Sequence, residues 1–154
     1  MADANTLTFS LSSGGDVVIK LRPDLAPGHV ERIAGLARDG FYDGVLFHRV
    51  IPGFMAQGGD PTGTGMHGSD KPNLKAEFNK EPHVRGICSM ARTNDPNTAN
   101  SQFFIVFDDA RFLDRQYTVW GKVLEGMDNV DKFKRGEPVR EPDSIVTAKI
   151  AADA

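Results

Sequence analysis

The feature that most limits the fold of this 154-residue chain is the order of its apolar runs, which are short, β-like and closed off by Gly and Pro. TLTFSLSS and DVVIKLRP stand either side of Gly14-Gly15 and predict an opening hairpin. In the second run Val17, Ile19 and Leu21 alternate with Val18 and Lys20, the period of a strand with one buried face. APGHVERIAGLARDGF changes the period: Val30, Ile33, Ala34, Ala37 and Phe41 recur at helical spacing between Pro27 and Gly40. Strand character returns at LFHRVI and FMAQGG, broken by Pro52-Gly53, and again at GICSMA, SQFFIVF, TVWGKVL and DSIVTAKIA. GMDNVDKFKRG predicts a second helix, closed by Gly136. About seven or eight strands, two helices and no βαβ repeat predict one mainly β domain over residues 1–154, an antiparallel barrel or sandwich and not a Rossmann-type sheet.

Charge and composition narrow the partners. With Lys and Arg outnumbered by Asp and Glu and a net charge of -3, the chain lacks the basic balance of a domain that lives on nucleic acid or anionic lipid. No apolar run approaches a membrane span, and MADANTLTFS lacks the basic and apolar regions of a secretory leader. A cytoplasmic location is the expectation, and the single cysteine, Cys88, fits a reducing compartment.

The usual reactive constellations are missing from the sequence. GGDPTGTGMHGSD is rich in glycine but has neither the GK[ST] of a P-loop nor a dinucleotide fingerprint between strand and helix. His29, His48, His67 and His83 are scattered without ligand spacing, so no metal site is expected. Ser89 and Ser101 have no glycine elbow, and Cys88 sits in an apolar run that predicts a buried, inert thiol. No two acidic residues are paired for proton transfer.

A different kind of site remains. Arg49 lies within LFHRVIPGFMAQGGD, a segment otherwise made for burial, and a guanidinium is almost never fully buried without a partner. Just downstream, Met55 and Gln57 share a strand face. In SQFFIVF, Phe103, Ile105 and Phe107 point one way, while Gln102, Phe104 and Val106 point the other. Two strands thus each offer an apolar and an amide side chain on a face away from the core, and an apolar patch with a few directional polar groups is how ligand sites are made. The loop from Gly58 to about Arg85, rich in Gly, Pro and charge, is long enough to be functional.

Three segments, FYDGVLFHRVIPGFMAQGGDPTGTG, SMARTNDPNTANSQFFIVF and FLDRQYTVWGKVLEGMDNV, resemble the cyclophilins, peptidyl-prolyl cis-trans isomerases, in composition, order and spacing. The resemblance runs from about Thr6 to Ile150, and the short central loop is similar to the compact bacterial branch. It implies a closed eight-stranded antiparallel β-barrel capped by two α-helices, with the ligand in a groove outside the barrel. It implies further that Arg49 is catalytic, and that Phe54, Met55, Phe104 and Leu113 wall a pocket for the substrate's proline ring. Gln57 and Gln102 match the groove glutamines, and Ala91 the alanine beside the peptide. Three further substrate-contacting positions depart from common members: Arg92 replaces an asparagine used largely through its backbone, Phe112 a tryptophan and Tyr117 a histidine. The activity so implied needs no cofactor. Its partners are proline-containing peptides and folding proteins, with weak cyclosporin binding and a monomeric state as further expectations. A proline-directed binder without turnover, or an OB-like nucleic-acid binder, are the alternatives.

Overall fold

The computed structural model describes residues 5–150. Eight strands form one antiparallel sheet: β1 (Thr6–Leu11), β2 (Asp16–Leu21), β3 (Arg49–Ile51), β4 (Met55–Gly58), β5 (Ile87–Met90), β6 (Phe103–Val106), β7 (Val119–Glu125) and β8 (Ile145–Ile150). Their order is β3-β4-β6-β5-β7-β2-β1-β8, so the two strands at the ends are far apart in sequence. The expected hairpin is present, with Ser10 opposite Asp16 and the chain reversed by Gly14 and Gly15, both at positive φ.

The sheet curls so that one face encloses the main core. Val17, Ile19 and Leu21 of β2 are buried there with Phe9, Phe47, Phe103, Ile105 and Trp120. Phe103 is the hub, with Phe9, Tyr42, Phe47 and Trp120 all within 5.6–6.0 Å between ring centroids. A second apolar cluster lies on the other face and contains Met55, Phe104, Val106, Leu113 and Val119. The alternation along β6 therefore serves two separate cores, which is why every residue of that strand is buried.

The helix α1 (Pro27–Arg38) forms where the helical period predicts it and packs on β7 and β8, burying Val30, Ile33, Ala34 and Ala37. The ladder is open between β3 and β8, the ends of the sheet, and isolated bridges Leu46–Ser144 and Val50–Gly136 lie at the opening. Of LFHRVI only Arg49–Ile51 forms β3, while Leu46 bridges Ser144. The second helix, α2 (Met127–Val130), is a single turn and not the whole of GMDNVDKFKRG. The Lys134 amide donates to the Asp143 carboxylate at 2.9 Å instead of continuing the helical ladder, and Phe133 is drawn into the core against Phe47. A short 3₁₀ turn, Arg111–Leu113, has no counterpart in the sequence reading.

Candidate active site

The outer face of the sheet carries the site because strand register brings its side chains into one row. Directly opposed residues share a face, and Arg49 opposes Gln57, Gln57 opposes Phe104, and Phe104 opposes Ser89. Ile51 opposite Met55 adds a parallel apolar pair. Pro52 and Gly53 turn the chain between β3 and β4, with Gly53 at φ 70°, so Phe54 and Met55 return beside Arg49.

A cavity of about 160 Å³ opens at this row. Arg49, Phe54, Met55, Gln57 and Phe104 line it from β3, β4 and β6, and Ala91, Arg92, Leu113 and Tyr117 from the facing segments. Met55, Phe104 and Leu113 are buried, so the walls are apolar and their positions are fixed by packing. Nine of the eleven residues expected from the sequence meet here. Gln102 lines an adjoining cavity of about 630 Å³, which shares Gln57, Ala91 and Arg92 with the first. Phe112 lines neither; it is 68% exposed and stacks on Phe54 at 5.7 Å, as a flap on the outside of the pocket wall.

Arg49 is half-exposed and held from two sides. Its Nε donates to Glu137 at 2.9 Å and its Nη1 to Gln57 Oε1 at 3.3 Å. Gln57 passes the orientation on, donating from Nε2 to Gln102 Oε1 at 3.0 Å. Gln102 then donates to the carbonyls of Gly65 and His67 at 3.0 and 2.9 Å, tying the long loop to β6. A guanidinium has five N–H donors in a fixed plane, and these contacts leave most of them for a ligand. Gly59, at φ 101°, makes the close crossing of β4 over the start of β6 possible, since a Cβ there would lie 2.8 Å from Gln102 Cα.

The loop is held by one buried carboxylate. Asp60 accepts from the Thr62, Gly65 and His67 amides and from the hydroxyls of Thr62 and Thr64, at 2.7–3.2 Å. Burial alone would push its carboxyl up, but these five donors outweigh that and hold it far below the ordinary range.

Two features of the site went unread in the sequence. Glu137 reaches Arg49 from 88 residues away, and no local pattern marks it. His83, weighed there only as a metal ligand, is fully buried behind Phe104, with the two rings stacked at 6.2 Å. Its amide and Nδ1 lie 2.7 and 3.1 Å from Asp114 Oδ1, and its Nε2 lies 3.0 Å from Ser89 Oγ. Burial pushes the imidazole below its usual value, and the Asp114 carboxylate only partly offsets this. A neutral His83 therefore joins the Arg111–Leu113 turn, which supplies Leu113, to the strand behind the pocket floor. The Arg92 side chain is fixed by contacts within the chain. Its guanidinium lies 4.5 Å from the Tyr117 ring centroid and donates to the carbonyls of Gln116 and Thr93. Cys88 is buried on the opposite face, and burial pushes its thiol well above the ordinary range.

A curled eight-stranded sheet with an arginine beside an apolar pocket on its outer face defines a class of proteins whose ligand site lies outside the core. Comparison with known proteins gives the class its family. The family model for cyclophilin type peptidyl-prolyl cis-trans isomerases matches residues 6–151. A probable peptidyl-prolyl cis-trans isomerase of Brucella suis is 54% identical over 165 residues, covering 97% of this chain and 84% of the relative. Peptidyl-prolyl cis-trans isomerase B of Bacillus subtilis is 42% identical, covering 86% and 93% respectively. Among solved structures, cyclophilin AquaCyp293 from Hirschia baltica superposes with a TM-score of 0.90 at 35% identity, over 99% of this chain and 76% of that one. A Cryptosporidium parvum cyclophilin studied with the dipeptide Ala-Pro gives 0.87 at 28% identity, over 94% and 98%. The chain belongs to the cyclophilin-type peptidyl-prolyl cis-trans isomerases.

Proposed function

We propose that the chain isomerises X-Pro bonds by holding the proline ring in the pocket of Phe54, Met55, Phe104 and Leu113 while Arg49 stabilises the twisted amide. An X-Pro bond prefers trans by only about 0.5–1 kcal/mol, yet crossing takes tens to hundreds of seconds because rotation breaks amide resonance, a barrier of roughly 18–20 kcal/mol. In the twisted state the lone pair returns to the prolyl nitrogen, and a cation with N–H donors beside it binds that state better than either planar one. A hydrogen bond to a charged group is worth about 1.5–3 kcal/mol, and about 1.4 kcal/mol is a factor of ten in rate. Arg49 thus supplies one to two powers of ten. The rest comes from gripping the ring while the other side turns, within a low-dielectric pocket.

The observation that carries this reading is the position of Arg49 at the mouth of a pocket whose buried walls are Met55, Phe104 and Leu113. Gln57, Gln102, Ala91, Arg92 and Tyr117 hold the peptide on either side, and Phe112 covers the outer wall. Folding polypeptides with proline are the substrates, in a reducing, cytoplasmic setting that suits Cys88, and the chain acts as a monomer. With phenylalanine at position 112, cyclosporin binding is weak. The bridges at Leu46–Ser144 and Val50–Gly136, with Phe47 N–H donating to the Asp143 carbonyl, support a barrel that closes around the main core.

The test is a time course of cis-to-trans conversion in a short X-Pro-Phe peptide, with circular dichroism as the control for folding. Wild type is expected to accelerate conversion, and Arg49→Ala to lose about ten- to a hundredfold in kcat/KM with its fold intact. Near-normal turnover in a folded Arg49→Ala protein would remove Arg49 from the mechanism.

A further inference from the structure

Carboxylates outnumber Lys and Arg in this chain, yet none lines either cavity of the groove. The full cations that line them are Arg49, Lys71 and Arg92. From this juxtaposition we infer that the enzyme selects proline peptides carrying a Glu or Asp side chain within a few residues of the proline. The inference rests on the isomerase reading and adds a substrate class to it.

Arg92 is the centre of the argument, because it lines both cavities and its charge is not neutralised. The other groove arginine, Arg49, is paired with Glu137, and Arg22, Arg85 and Arg111 with Asp24, Asp131 and Asp114. Arg92 is held instead by two carbonyls and the face of Tyr117, contacts that fix the guanidinium without cancelling it. Lys71 is carried into the larger cavity by an anchored loop. Asn100 accepts from the Ser69 amide and hydroxyl at 2.8 and 2.6 Å and donates to the Lys71 carbonyl at 2.9 Å. Behind that wall Arg32 donates to the carbonyls of Pro72 and Asn100, so its charge too faces only neutral acceptors. The nearest acids offset this little. Asp60 is buried outside the lining of both cavities, and Asp70 and Asp95 are exposed beside the groove without lining it. In a concave site with low-dielectric walls, several cations of one sign reinforce each other on an incoming anion.

The experiment compares kcat/KM for acetylated, amidated peptides around Ala-Pro-Phe, with Glu, Gln or Lys placed two residues before the proline or two after it. In at least one series the expected order is Glu above Gln above Lys, with Glu over Lys by about three- to tenfold near 10 mM salt and approaching one near 1 M. Arg92→Lys is expected to keep the order, whereas Arg92→Gln and Lys71→Glu each narrow it; Lys71 is exposed, so its substitution leaves the fold intact. Acceleration of the Gln peptides with no dependence on charge in either series overturns the acidic preference and leaves the isomerase reading standing. A reversed order overturns it equally. Failure to accelerate any of the peptides, Gln included, instead overturns the reading on which the inference rests.

Discussion

At the residue scale the site depends on how one guanidinium is aimed. Glu137 and Gln57 both hold Arg49, but they differ in setting: the Arg49–Glu137 pair is exposed, whereas Gln57 is half-buried and linked onward to Gln102. Exposed ion pairs contribute about 0–1 kcal/mol, and a hydrogen bond to a charged group about 1.5–3 kcal/mol. Glu137→Gln is therefore expected to change kcat/KM by less than about fivefold, and Gln57→Ala to lower it by about tenfold or more. Measuring both variants on one peptide decides the matter, since a larger loss in Glu137→Gln would mean that Arg49 is aimed from the solvent side. The sequence makes half of this arrangement legible. Arg49 and Gln57 stand out because a charge and an amide interrupt apolar strands at fixed spacing. Glu137 is one acidic residue among many on a polar stretch, and only the bridge of Val50 to Gly136 brings it close.

At the scale of elements, strands and the long helix follow from period, whereas the short pieces that finish the pocket do not. Three residues in Arg111–Leu113 are too few to show any period, yet that turn supplies Leu113 to the pocket and Phe112 to its outer wall. What fixes it is Asp114, which accepts from the His83 amide and imidazole with one oxygen and from Arg111 with the other. Asp114→Ala takes the partner from the amide and Nδ1 of His83, a fully buried residue, and leaves only its Nε2 contact with Ser89. An unsatisfied buried polar group costs about 1–3 kcal/mol, which sets the expected loss in a urea titration. Because the turn forms a wall and not the catalytic charge, KM for an X-Pro peptide is expected to rise more than kcat falls. A variant as stable as wild type with unchanged KM would show that the turn is held by its own packing. The truncated α2 has the same lesson: its period continues through Phe133, but the Lys134 amide is captured by Asp143, a competitor distant in sequence.

At the scale of the whole molecule, the sheet separates an inner core from an outer one, and the alternation of Phe103 with Phe104 already shows the two faces. The curl of the sheet comes with bridges from the β3 region to residues far along the chain, Leu46 to Ser144 and Val50 to Gly136, which no local pattern encodes. The same burial that builds these cores fixes how stability responds to acid. His29, His48 and His83 are buried, and in each case burial pushes the imidazole below its ordinary value of 6.5. Glu77 beside His29, Asp60 near His48 and Asp114 beside His83 pull the other way without reversing the direction. Between the lowered folded value and 6.5, the unfolded chain binds protons that the folded chain does not, so stability rises with pH through that window. The contribution is complete above 6.5 and lost as pH falls toward the folded values. Each histidine adds at most about 1.4 kcal/mol per pH unit, so the three together give a slope of up to about 4 kcal/mol per unit. Below the ordinary Asp value of 3.8, the lowered carboxyl of Asp60 acts in the same sense. Urea unfolding from pH 8 to 5 is expected to be nearly level at the upper end and to fall below about 6.5, with His29→Gln reducing the slope. A level profile down to pH 5 would mean that the three imidazoles gain their protons without leaving the folded state.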